Sequence, residues 1–333
     1  MFFKTLGLGV LALAVPAVAM AQPIAPKVMV ITMFGAETKP WLDNLQLPEK
    51  VAVPGLAADA PEVSCNGDLC VMTTTMGFAD AATSTAAVAL SDKFDLSKTY
   101  FIVAGIAGID PSKGTLGSAA WADYVVDGGL FHRLGKADAP AGWTSTVVEL
   151  GAKAPGEKQA WGAGTEVYEM NKAVLDAAVA ASKATELADS EDAAAYRALY
   201  AQEAARAKPG VTVCTTVSAD TYWHGAEIAT EMAAHARTLT DGKADYCTSQ
   251  MEDNATLTAL KRAASAGKLD FNRVAVLRTA SNFDRPHDGQ GAAESLAAKS
   301  GGFGPATENA FRVGNAFAQD IVKNWDRYEA GLK

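Results

Sequence analysis

Histidine is scarce in this 333-residue chain, with four in total, and cysteine is equally scarce. Positive charge is short as well, with 29 Lys and Arg against 38 Asp and Glu. Each shortage excludes something. No His or Cys lies at paired-ligand spacing, so a zinc site is excluded and no metal is expected. A net charge of −9 argues against nucleic acid and anionic membrane as partners. No G-K-[ST] is present, so there is no Walker loop. Residues 102–108 carry two glycines after an apolar run, but Asp110-Pro111 stands where a dinucleotide fingerprint needs a Gly-rich helix start. No cofactor is expected.

Long apolar runs are also missing after the first residues. Nothing there approaches a span of roughly 20 residues without a charge, glycine or proline. Residues 1–21 read as a secretory signal peptide. Lys4 precedes an apolar run over 6–18, broken by Pro16, and Ala19-Met20-Ala21 supplies a cleavage site before Gln22. The run is short for an anchor, so the expectation is an exported, periplasmic chain with no transmembrane segment once matured. Four cysteines fit an oxidising compartment. Cys65 and Cys70 flank Asn66-Gly67-Asp68-Leu69, a turn between two β-type runs, and a hairpin there brings them within disulfide reach. Cys214 and Cys247 both sit in apolar β-type runs, where a disulfide and two buried thiols are equally compatible with the sequence.

What is present is a large hydrophobic content, 49%, enough for a sizeable core. Short apolar, β-branched runs occur at 28–33, 69–75, 100–104, 124–126, 211–217, 244–248 and 274–277. They lack alternation, which predicts strands buried on both faces. Apolar residues at three-to-four spacing predict helices over 79–90, 225–239, 254–266 and 305–328. One α/β domain over 27–330 follows, with a central sheet covered by helices. Residues 166–208 are rich in Ala, Glu and Lys and read as a helical insertion of two helices, broken near Asp189-Ser190.

Polar groups gather where these strands end. Phe34-Gly35-Ala36-Glu37 follows the first, where a glycine permits a tight turn and Glu37 can orient a water or a sugar hydroxyl. Thr74-Thr75-Met76-Gly77 closes the second. Ala104-Gly105-Ile106-Ala107-Gly108 is either a tight strand exit or a backbone that passes against a flat ligand. Tyr222-Trp223-His224-Gly225 offers an aromatic face for a base, with His224 in reach of a sugar. Met251-Glu252 opens a helix. There a carboxylate either answers the helix dipole or accepts from two neighbouring hydroxyls. Ser281-Asn282 is either a simple turn or a donor–acceptor pair suited to a purine edge.

In chain order these segments resemble the purine nucleoside permease family, over nearly the whole mature chain. The resemblance also rests on Lys27-Val28-Met29-Val30-Ile31-Thr32-Met33-Phe34, Ala119-Ala120-Trp121-Ala122-Asp123-Tyr124-Val125 and Gln250-Met251-Glu252-Asp253-Asn254. It rests too on Leu277-Arg278-Thr279-Ala280-Ser281-Asn282-Phe283-Asp284. That family in turn is similar to the nucleoside phosphorylases. The resemblance implies a mixed, twisted central sheet flanked by helices, with a purine nucleoside at the strand ends. Carried onto this chain, Ala104, Gly105 and Ile106 line the base and Tyr222 stacks on it beside Trp223. Met251 and Glu252 hold the ribose, and Ser281 and Asn282 meet the purine edge. Gly35 lies near the sugar or the attacking group, and Met76 and Gly77 join the ligand-contacting set. A homo-oligomer is compatible with the family.

Two departures bear on chemistry. A buried phosphate needs cationic donors. Residues 73–84 contain no Lys or Arg, and the Gly35 segment offers only Lys39. Phosphate is therefore a disfavoured co-substrate, unless a remote Arg folds into the site. Asn282 replaces the Asp that protonates the leaving purine in many members of the superfamily. An amide cannot act as a general acid, though it can hydrogen-bond N7. The leading expectation is a periplasmic purine nucleoside-binding protein that contributes to uptake. The alternative is an enzyme that cleaves the N-glycosidic bond, a nucleosidase rather than a phosphorylase. Its candidate catalytic residues are Glu37, Asn282 and Asp284. A third reading is a scaffold that has lost its site.

Overall fold

The computed structural model describes residues 22–333. The proposed signal peptide lies outside them. The apolar runs fold as strands of one sheet: β1 (Val28–Thr32), β4 (Leu69–Thr73), β5 (Tyr100–Ile109), β6 (Ala119–Asp127), β10 (Val211–Ser218), β11 (Tyr246–Gln250) and β12 (Val274–Phe283). Three short strands, β2 (Glu49–Ala52), β3 (Glu62–Cys65) and β9 (Val167–Glu169), complete it. A separate pair, β7 (His132–Arg133) and β8 (Val147–Val148), lies on the segment between β6 and β9. The order in the main sheet is β11-β10-β6-β12-β5-β1-β4-β3-β2, with β9 on β6. Pairings are mixed. β1 runs parallel to β4 and β5, whereas β12 runs parallel to β5 and antiparallel to β6. β11 also meets β5 antiparallel through Thr248 and Ser249, so the path from β5 through β12, β6 and β10 closes on itself.

Helices cover both faces, which explains the unbroken apolar runs. Along β1, Met29 and Ile31 point to one side, where Leu257 and Leu260 of α7 (Asp253–Ser265) and Val88 of α2 (Phe78–Ala89) pack. Val28 and Val30 point to the other. There Val313, Phe317 and Ile321 of α9 (Phe303–Lys323) meet Trp41 of α1 (Gly35–Asn44) and Val174 of α3 (Lys172–Ser182). The remaining helices are α4 (Glu191–Arg197), α5 (Glu203–Arg206), α6 (Ala226–Leu239), α8 (Ala292–Ala297) and α10 (Trp325–Tyr328). No helix among the described residues is long and apolar enough to cross a membrane.

Several elements differ from the sequence expectation. β5 continues through Gly105 to Ile109, and β12 continues through Ser281 and Asn282, so neither segment is a turn. The closed strand path supplies neighbours along their full length, and pairing overrides the weak propensity of glycine. α1 is an added helix, concealed by Gly35 at its start and Pro40 inside it. Residues 166–208 hold three helices and not two, and they begin with β9 in the main sheet. The break near Asp189-Ser190 is present, with Ser190 capping α4 through Ala193 N. This segment is clamped by Asn309 of α9. Its amide accepts from Ala188 N at 2.6 Å and donates to Ala188 O and Gly117 O.

Cys65 and Cys70 face each other across β3 and β4 and are bonded. Cys214 and Cys247 sit on the adjacent strands β10 and β11 and are also bonded.

Candidate functional site

The ends of strands β1, β5, β11 and β12 and the segment before α6 line a cleft. Its floor is charged and buried. Arg278 rises from the middle of β12 and is 2% exposed. A guanidinium so placed requires paired acceptors. Asp253 takes it side-on, accepting from Nε at 3.1 Å and from Nη2. Glu252 accepts from Nη2 at 3.2 Å, and Ile106 O accepts from Nη1 at 2.9 Å. Gln250 sets up the two carboxylates. Its amide oxygen accepts from Glu252 N and Asp253 N, which caps the start of α7.

Glu37 of α1 enters from the opposite side. Its carboxylate accepts from Met33 N at 2.8 Å and Ile106 N at 2.7 Å. Burial pushes the Glu37 carboxyl up to about 7, against the pull of Arg278 and the two amides. Burial also raises Glu252 and Asp253 above the ordinary carboxylate range, again opposed by Arg278. Three carboxyls thus share one guanidinium. Gly105 makes this possible. A Cβ there would strike Met33, and would lie 2.6 Å from Glu37 Oε1 and 2.8 Å from Arg278 Nη1.

The walls come from strand and loop segments. Ile106, Ala107 and Gly108 form one side, and Thr221, Tyr222 and Trp223 form another. Ser281 and Asn282 close one end. Ser281 Oγ lies 2.9 Å from Asn282 Oδ1 and 3.2 Å from Ala107 O, two acceptors for its single proton. Met76 reaches the cleft from the turn before α2, where Thr75 adopts φ +67, an uncommon conformation for a β-branched residue. The amides at the start of α2 meet carboxylates of this chain: Phe78 N donates to Asp220 Oδ1 at 2.6 Å, and Gly77 N lies 3.5 Å from Glu252 Oε1.

Of the residues singled out from sequence, Glu37, Met76, Ile106, Tyr222, Trp223, Met251, Glu252, Ser281 and Asn282 line this cleft. The others lie elsewhere. Ala104 is fully buried in the sheet core, because β5 runs on past it. Gly105 acts through close approach beneath the floor. Gly35 lines a neighbouring groove with Thr38 and Thr73. Gly77 is the turn residue before α2, at φ +91. His224 lies behind the wall, half-buried, with Nε2 at 2.9 Å from Ser295 Oγ. Asp284, a catalytic candidate, is 1% exposed and points away from the cleft. Its oxygens accept from Tyr246 Oη at 2.7 Å and Arg285 Nε at 2.7 Å. Sequence reasoning missed Asp253, Arg278 and Gln250 as site builders. All lie inside the quoted motifs, but a buried cation with two carboxylates is visible only once β12 and α7 are side by side.

Solved structures place the fold. A 5'-methylthioadenosine/S-adenosylhomocysteine nucleosidase from Neisseria meningitidis, in complex with methylthio-immucillin-A, superposes with TM-score 0.54 at 14% identity. The match covers 89% of this chain and 99% of that one. A futalosine hydrolase from Helicobacter pylori superposes with TM-score 0.53 at 12% identity, covering 89% and 98%. The fold is the nucleoside phosphorylase-like mixed α/β sheet flanked by helices. Sequence places it further. The purine nucleoside permease family model matches residues 25–333, and the chain belongs to that family. A purine nucleoside permease of Candida albicans is 36% identical over 316 residues, covering 92% of this chain and 78% of its own. A probable purine nucleoside permease of Schizosaccharomyces pombe is 36% identical over 314 residues, covering 90% of each.

Proposed function

We propose that this protein binds purine nucleosides in the cleft described above and, exported to the periplasm, contributes to their uptake. The observation that carries the binding reading is convergence. A carboxylate able to take two vicinal hydroxyls, Glu252, stands across one cavity from an amide, Asn282, suited to a purine edge. Tyr222 and Trp223 flank the space between. The relatives' name, purine nucleoside permease, supports the ligand class and the uptake role. Calorimetric titration with inosine, adenosine and guanosine tests it. Saturable binding is expected, and no binding to any of the three refutes it.

Glu37 favours a second reading, hydrolysis of the N-glycosidic bond. A buried carboxyl titrating at about 7 and facing the same cavity as Glu252 is suited to take a proton from water. Its two oxygens each accept one backbone N–H and keep a lone pair for that water. Asn282 would hydrogen-bond the leaving base without protonating it. Phosphate is poorly served: Arg278 is the single Lys or Arg on the lining, and Asp253, Glu252 and Ile106 O engage it. Release of free base without phosphate supports hydrolysis; release only with phosphate overturns it; binding with no release leaves the first reading alone.

A further inference from the structure

A second, open space adjoins the Asn282 end of the cleft. The two spaces share Ile106, Tyr222, Ser281 and Asn282, so Asn282 stands at their junction. Tyr196, Leu296 and Phe303 give the second space apolar and aromatic surface, alongside the polar His224, Ser295, Lys299 and Ser300. Leu296 is 56% exposed and Phe303 49%, apolar surface that nothing among the described residues covers. The outer wall comes from the helical segment before β10. Tyr196 of α4 stacks on Phe283 at 6.5 Å and 20°. α4 is seated tightly against the turn before α9: Ser190 Oγ donates to Gly301 O at 3.1 Å, and a Cβ on Gly301 would lie 2.5 Å from Ala193 N.

We infer that this second space receives an apolar or aromatic substituent on the base, so that the ligand class extends to purine nucleosides substituted on the edge that bears N7. The inference rests on the nucleoside-binding reading above. With the ribose on Glu252 and the N7 edge on Asn282, substituents at positions 6 and 8 flank Asn282, one of the residues that both spaces share. They leave the cleft toward Tyr196, Leu296 and Phe303. Aromatic walls and burial of apolar area favour a ring there. The segment over residues 166–208 then has a role in ligand selection.

The test is calorimetric titration of the full mature chain with adenosine, 6-benzylaminopurine riboside and 8-benzylaminoadenosine, repeated on Leu296→Glu. At least one benzyl derivative binds as tightly as adenosine or tighter. Leu296→Glu weakens that derivative about tenfold and leaves adenosine unchanged, since Leu296 lines only the second space. If adenosine binds but both derivatives bind more than about tenfold more weakly, the inference falls and the nucleoside reading stands. If Leu296→Glu weakens adenosine and the derivative alike, the second space is not a separate subsite and the inference again falls. If adenosine and its relatives all fail to bind, both readings fall together.

Discussion

The floor of the cleft is carried by strands and helix starts and holds buried charge, whereas its rim is carried by connecting segments and holds exposed apolar side chains. On the floor, Arg278, Glu252 and Asp253 are each under 5% exposed and satisfy one another. On the rim, Met76 is 59% exposed and Tyr222 53%. The difference follows from what each part must do. Charge brought out of water is tolerated only in a fixed, fully paired geometry, and a closed sheet supplies that. Apolar contact is non-directional, so it can be left to segments that adapt to the ligand. Buried charge pairing is therefore confined to the floor, and exposed apolar surface to the rim.

The comparison can be broken most forcefully at Asp253. Asp253→Ala leaves the buried guanidinium of Arg278 half-paired and is expected to cost about 3–5 kcal/mol, read from the urea midpoint. A loss under about 1 kcal/mol would mean that the floor is not held by charge. Glu37 gives a pH signature of the same floor. Its folded value, about 7, lies above its ordinary 4.5. Its contribution to stability is therefore fully present below about 4.5 and lost as pH rises through about 7. The wild-type chain should lose on the order of 3 kcal/mol across that window relative to Glu37→Gln, which has no such titration. Parallel pH dependence in the two proteins would refute the burial argument.

Replacing Cys214 and Cys247 by Ser removes the staple between β10 and β11, the strand that brings Gln250 to the floor. A loss of about 2–4 kcal/mol is expected in thermal unfolding. Glu252→Gln keeps the shape but weakens acceptance of the ribose hydroxyls. Nucleoside affinity should fall by about 1–3 kcal/mol, measured by titration. Tyr222→Ala is the mildest. Affinity should fall by about 0.5–1.5 kcal/mol while the unfolding midpoint stays in place. A shift in that midpoint would show the rim to be structural after all.

Much of this was legible in the sequence. Runs such as 28–33 and 274–277 announce strands buried on both faces, because an apolar stretch without alternation has no solvent side. Met251-Glu252 and Ser281-Asn282 could be placed at a common level because both follow such runs. In sequence Gly105 fits either a strand exit or backbone passing against a flat ligand, and it is an in-strand glycine. The reason is the approach of Met33, Glu37 and Arg278 to its Cα, which is non-local. Asp284 offered the same carboxylate chemistry as Glu37, yet Tyr246 and Arg285 take it out of the cleft.

By itself, then, the sequence determined the α/β class, the strands of the core, the hairpin disulfide and the segments that gather at the ligand end. Those properties depend on local patterning and short separations. The tertiary structure alone decided which carboxyl is buried beside Arg278, which side chains line the cleft and where the second space adjoins it. Burial and the distance between charges are set by pairing across the closed sheet, between residues up to 245 positions apart, as Arg278 and Met33 are. No window of sequence contains both partners of such a contact.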